Sequence, residues 1–256
     1  MFIFLAMLIM GFMIGFAGAG GSGLVIAILT VFFGVPIHTA LGTALGSMVF
    51  TTMSGAYSHF REDNVALKDG IAVGIFGGAG AYIGVKIAAV MPAHHLTWLA
   101  ATMLILSAGL LAIRIIFFSK GFVKVKDGKE KRGSVRFWLS ACGLGLVTGI
   151  LSGTFGIGAA PYIQIGLLIL FGLTIQKVAG TTMLVILPIA ILGGIGYLAE
   201  GFMDMWLFIQ VSTGLTIGTY IGAKFTKRVH PVILKVAMVC VPLSAGLLLL
   251  FGSHIH

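Results

Sequence analysis

Two glycine clusters interrupt long apolar runs of this sequence: Gly18-Ala19-Gly20-Gly21-Ser22-Gly23 near its start and Gly153-Thr154-Phe155-Gly156-Ile157-Gly158 in its second half. A chain without Cβ atoms lets another group come close to the backbone. A helix that restarts after such a break exposes N–H groups with no intrahelical partner, and they carry a partial positive charge. That is chemistry for holding an anion. Hydroxyls lie inside the same apolar runs, and the candidate binding set is Gly20, Gly21, Ser22, Thr43, Ser47, Thr154, Gly156, Gly158, Thr181 and Thr182. The competing role for any single hydroxyl is donation to a carbonyl of its own helix. Lys86 and Lys224 stand near the ends of apolar runs and are candidates for a cationic vestibule. Their competing role is to snorkel to the membrane surface.

The acids set the sign of the ligand. Glu62, Asp63, Asp69, Asp127, Glu130, Glu200 and Asp204 all fall in loops or at the ends of apolar runs. A cation carrier ordinarily keeps a carboxylate at membrane depth, so the expected cargo is a small anion. His38, His59, His94, His95 and His230 lie near run ends, and His254 and His256 are terminal. No metal site, cofactor or catalytic residue is expected from them. Gly20-Gly21-Ser22-Gly23 also admits a distant reading as an intramembrane serine hydrolase, which requires a histidine within reach of Ser22.

Composition dictates what positions these groups. Of 256 residues, 59% are hydrophobic and 9% are charged, against about 45–50% and about 25% in soluble globular chains. So few charges cannot solvate the whole molecule, and the solvent for most of it is lipid. A cytosolic enzyme and a secreted disulfide scaffold are excluded. The net charge of +9 is read as orientation, because cytoplasmic loops collect Lys and Arg; nucleic acid is not an expected partner. Cys142 and Cys240 sit in apolar runs and read as small hydrophobes. The expected fold is an all-α polytopic membrane protein. Full-length spans read as Ile37–Tyr57, Gly70–Val90, Leu96–Phe118, Val178–Leu198, Trp206–Phe225 and Val232–Phe251. Met1–Phe33 and Phe137–Phe171 are each too long for one helix and short for two, and each is broken by its glycine cluster.

The chain also repeats itself. Gly80-Ala81-Tyr82-Ile83-Gly84-Val85-Lys86 matches Gly218-Thr219-Tyr220-Ile221-Gly222-Ala223-Lys224 at an offset of 138, which also pairs Thr43 with Thr181. The expected organisation is a first repeat over 1–118, a basic linker over 119–135 and a second repeat over 136–256. Each repeat holds a Gly-broken or re-entrant first segment and three full spans. With the linker in the cytoplasm, an inverted second repeat puts fifteen of the sixteen Lys and Arg on that side and leaves only Lys86 opposite. Parallel repeats put ten there, so charge favours inversion. A hairpin and two short crossings in the broken segments have the same parity and stay open.

At these breaks the chain resembles the TauE/SafE family of membrane permeases, associated with export of sulfite and organosulfonates. The resemblance is carried by Gly11-Phe12-Met13-Ile14-Gly15-Phe16-Ala17-Gly18-Ala19-Gly20-Gly21-Ser22-Gly23, by Gly34-Val35-Pro36 and by Ala40-Leu41-Gly42-Thr43-Ala44-Leu45. Gly149-Ile150-Leu151-Ser152-Gly153-Thr154-Phe155-Gly156-Ile157-Gly158 and Ala179-Gly180-Thr181-Thr182 carry it in the second half. It implies transport of a small sulfur-containing oxyanion across a prokaryotic inner membrane. Alternating access around a midplane site at the two breaks is the expected mechanism, with an anion channel or uniporter as the alternative. The expected partners are the small anion and the lipid bilayer, with homo-oligomerisation left open.

Overall fold

A computed structural model describes residues 2–17, 22–119, 135–157, 159–226 and 231–252. Among them the chain is helical and has no strand. The order is α1 (Phe2–Ala17), α2 (Ser22–Val31), α3 (Ile37–Arg61), α4 (Leu67–Val90), α5 (Ala93–Ser119), α6 (Val135–Phe155), α7 (Ala160–Leu170), α8 (Ile175–Ala199), α9 (Met205–Thr226) and α10 (Pro231–Gly252). Each of the six uninterrupted apolar runs lies within one helix: α3, α4, α5, α8, α9 or α10. The two broken regions divide into the pairs α1/α2 and α6/α7, and their second members are short, with 10 and 11 residues. In lipid every backbone polar group must be satisfied within the protein, so apolar segments of this length adopt helix.

Four helices are long and apolar enough to cross a membrane: Leu67–Val90, Ala93–Ile115, Val135–Phe155 and Gln176–Ala199. The protein is thus an integral membrane protein, all-helical in its regular structure among the described residues. α3 is equally long at 25 residues, but Thr39, Thr43, Ser47, Thr51, Thr52, Ser54 and Ser58 lower its hydropathy. Large apolar side chains such as Phe2, Val90 and Trp206 point outward, where lipid is as good a solvent as a protein core. Exposed Trp98 and Trp206 mark one end of the helix stack, and Tyr57, Trp138 and Tyr220 the other, as aromatic belts do.

With no hydrophobic drive between helices in lipid, close backbone packing holds them together. Val73, Gly77 and Ala81 of α4 lie on Gly145, Gly149 and Gly153 of α6, so these two helices run parallel. Phe4, Leu8 and Phe12 of α1 lie on Gly214, Gly218 and Gly222 of α9 in the same way. α4 is also parallel to α8, its Gly70, Gly74 and Gly78 meeting Leu184, Pro188 and Leu192. α3 and α8 instead cross antiparallel: Gly42, Gly46 and Gly55 face Tyr197, Gly194 and Met183.

These directions constrain the short helices. α8 and α9 form a hairpin, because Gly46 touches both Gly194 and Phe208 across the Glu200–Asp204 loop. α1, parallel to α9, therefore runs the same way as α3. α6 and α8 both run with α4. Each short helix is thus a return arm between two helices of like direction, and a single broken crossing does not fit.

Candidate functional site

The return arms meet. Gly23 and Leu24 at the start of α2, and Ile157, Ala160 and Pro161 at the start of α7, line one cavity together with α5 and α10. It leaves about 40 Å³ for the centres of water-sized guests, room for roughly three waters. α2 starts level with the middle of α5, where Gly23 packs on Leu104. Tyr162 ties the first turn of α7 to the same level, its hydroxyl donating to the Met103 carbonyl at 3.3 Å. The chain enters α7 through two left-handed residues, Gly156 at φ 65° and Ala159 at φ 45°. Ala159 holds this conformation at the strained, non-glycine end of a break, and Pro161 follows in the first turn, where its missing N–H does no harm.

The candidate residues divide. Gly20, Gly21 and Gly158 lie outside the described residues. Ser22 opens α2; its Oγ is buried and has no hydrogen-bond partner among the described residues. Gly156 faces Leu41 and Ile26, so glycine there serves the turn and the packing. Thr154 donates to the Gly84 carbonyl at 3.1 Å and joins α6 to α4. Ser47 and Thr182 donate to their own helices, at Ala44 and Val178. Thr181 accepts the backbone N–H of Ala66 at 2.9 Å, just ahead of α4.

Its sequence partner Thr43 is fully buried, and its Oγ1 has no partner among the described residues. The difference has a local cause. At the repeat offset, position 66 is alanine where position 204 is aspartate. Asp204 caps α9 itself, accepting from Trp206 and Leu207 at 2.8 and 3.1 Å. α9 therefore needs nothing from Thr43. None of Thr43, Ser47, Thr154, Thr181 or Thr182 lines the cavity between the return arms.

Lys86 is paired. Its ammonium donates to Glu200 at the end of α8 and lies 5.6 Å from the Tyr82 ring centre. The side chain of Lys224 lies outside the described residues.

Sequence reading passed over the one cation that does line the cavity. Arg114, on the face of α5 that also carries Leu104, Ser107 and Leu111, donates from Nη1 to the Oε1 of Gln164 on α7. It was legible as an arginine inside the Leu96–Phe118 run, since an ionisable group within a span is a site by default. What hid it was the strength of the surrounding hydropathy.

The comparisons fit this geometry of broken, apolar helices. The family described as "Sulfite exporter TauE/SafE" matches residues 3–249. The chain belongs to the TauE/SafE family. Its TauE/SafE relatives include the probable membrane transporter protein YdhB of Bacillus subtilis (strain 168), 49% identical over 98% of this chain and 100% of that protein. A second, YunE of the same organism, is 22% identical over 97% of each chain. A third, ORF9 of Sinorhizobium sp., is 26% identical over 97% of this chain and 91% of that protein. Both carry the same description of probable membrane transporter protein. No solved structure gives a significant match. Family membership makes this TauE/SafE chain a membrane transporter.

Proposed function

We propose that the protein is a permease for a small sulfur-containing oxyanion such as sulfite or an organosulfonate, moved by alternating access around the cavity between the return arms. The observation that carries this reading is that the cavity is lined by the first residues of both short helices. The first turn of a helix has N–H groups without intrahelical partners and a partial positive charge, so two helix starts at one space favour an anion there. Broken helices that meet at the midplane are the usual construction of carriers built from inverted repeats.

The halves over 1–118 and 136–256 are read as such repeats, joined by the 119–135 linker. The antiparallel crossing of α3 and α8 supports this, and so do the matched parallel pairs α1/α9 and α4/α6. With the linker cytoplasmic in a prokaryotic inner membrane, Lys86 alone faces the other side. Its pairing with Glu200 offsets that exception. The hydrolase reading has no support at Ser22, whose hydroxyl has no hydrogen-bond partner among the described residues.

The test is flux into proteoliposomes against a panel of sulfite, sulfate, thiosulfate, taurine, sulfoacetate and simple carboxylates. A carrier of this class gives saturable counterflow of one or more sulfur anions. Unitary currents in single-channel records would replace the carrier with a channel, and equal indifference to every anion would overturn the reading.

A further inference from the structure

Arg114 holds a full positive charge among apolar helices, and its hydrogen-bond partner is a neutral amide, Gln164. Lys86 pairs with Glu200 at the end of α4, away from this cavity. An arginine that faced lipid would snorkel toward the end of its helix, and Arg114 is five residues from Ser119, near enough to do so. Its guanidinium instead turns inward to α7. No acid is seen paired with it among the described residues; desolvating such a charge is costly, and a protein that keeps one inside an apolar run has a use for it.

We propose that Arg114 is the counter-ion of the transported species: its guanidinium, positioned by Gln164 between the starts of α2 and α7, binds a compact, singly charged oxyanion. This rests on the transport reading above and names the charge that the reading lacks. The side chains that line the space offer donors: the guanidinium, the Gln164 amide and the hydroxyl of Ser107. Ser107 is 3% exposed and lines the cavity on the same face of α5 as Arg114. A guanidinium matches two oxygens of one anion in a fork, which an ammonium cannot do. One cation balances one negative charge, so the occupant is a monoanion. The cavity has room for roughly three waters, which favours a compact anion over one with a long tail. An anion that enters takes the place of the Gln164 oxygen on Arg114, and the freed amide donates to the anion in turn.

The experiment uses the full chain in lipid nanodiscs with sodium hydrogensulfite as probe, buffered on the acid side of neutrality so that the singly charged form of sulfite predominates, titrated calorimetrically, with unfolding temperature read in parallel. Arg114→Gln should weaken sulfite binding by roughly 30-fold or more, and Arg114→Lys by about tenfold, because the fork is lost but the charge is kept. Gln164→Glu separates the roles. It sets a carboxylate beside the guanidinium, which serves a structural arginine at least as well as the amide but competes directly with the anion. The expected result is an unfolding temperature no lower than the parent's and sulfite binding weakened by roughly 30-fold or more. Taurine, with its tail and ammonium, should bind the parent about tenfold or more weaker than sulfite.

Sulfite binding by Gln164→Glu or by folded Arg114→Gln within about threefold of the parent overturns the assignment and leaves the transport reading intact. If Arg114→Gln does not fold, Gln164→Glu decides alone. A parent chain that binds none of the sulfur anions overturns both.

Discussion

The hydroxyl of Tyr197 donates to the carbonyl oxygen of Gly153 at 2.8 Å, tying α8 to the last turn of α6 where the chain breaks. Tyr197 is fully buried, and its ring lies on Gly42 of α3. One side chain thus joins three helices. Tyr197→Phe keeps the ring and removes the donor, leaving a carbonyl in a lipid-shielded core without its partner. The expected cost is about 1 kcal/mol, measured by reversible unfolding in mixed micelles. Unchanged stability would mean that Gly153 finds another donor.

Gly149 rests directly on the backbone of Gly77, where α6 lies against α4. Gly149→Leu cannot be accommodated without prising the helices apart, and the variant should fail to give a folded peak in size-exclusion chromatography. Gly143, on the same helix, has nothing within 4 Å of where a Cβ would stand. Gly143→Ala should elute as the parent does, with stability within about 0.5 kcal/mol. A soluble Gly149→Leu protein with parental stability would refute the packing.

A Cβ at Gly23 would run into the Leu104 side chain, at the mouth of α2 and on the wall of the cavity. Gly23→Ala should destabilise the protein, and Leu104→Ala should too, by about 2–3 kcal/mol through the space it leaves. The double variant should recover about 1 kcal/mol or more of their sum. Strict additivity in this cycle would show that the two positions do not meet.

Topology is testable without a ligand. With Cys142 and Cys240 replaced by serine, single cysteines at Gly128 and Met203 should react with membrane-impermeant reagents from opposite sides. Labelling from the same side would restore parallel repeats.

Much of the helix inventory is legible in the residues. Apolar runs in a chain with 9% charge have no choice but helix in lipid, and each uninterrupted run is one helix of the fold. The glycine stripes Gly70, Gly74 and Gly78 of α4 and Gly214, Gly218 and Gly222 of α9 are packing faces, and four-residue spacing makes that legible by putting them on one side. The candidate hydroxyls were less legible. Whether Thr181 serves a ligand or its neighbour depends on what stands at Ala66, 115 residues away, and no local pattern carries that information. Arg114 was visible but unplaced, since one charge in a strong run says neither which helix it faces nor whether an acid answers it.

The sequence by itself determined that this is a helical membrane protein, interrupted at two glycine clusters, with no carboxylate in the middle of an apolar run. Composition and segment length decide those points, and both are properties of the chain alone. Only the tertiary structure decided that α2 and α7 are return arms, that their first residues line one cavity, and that Arg114 joins them there through Gln164. The reason is physical: direction and convergence come from contacts between segments far apart in the chain. In lipid those contacts depend on how closely backbones fit, which no single run records.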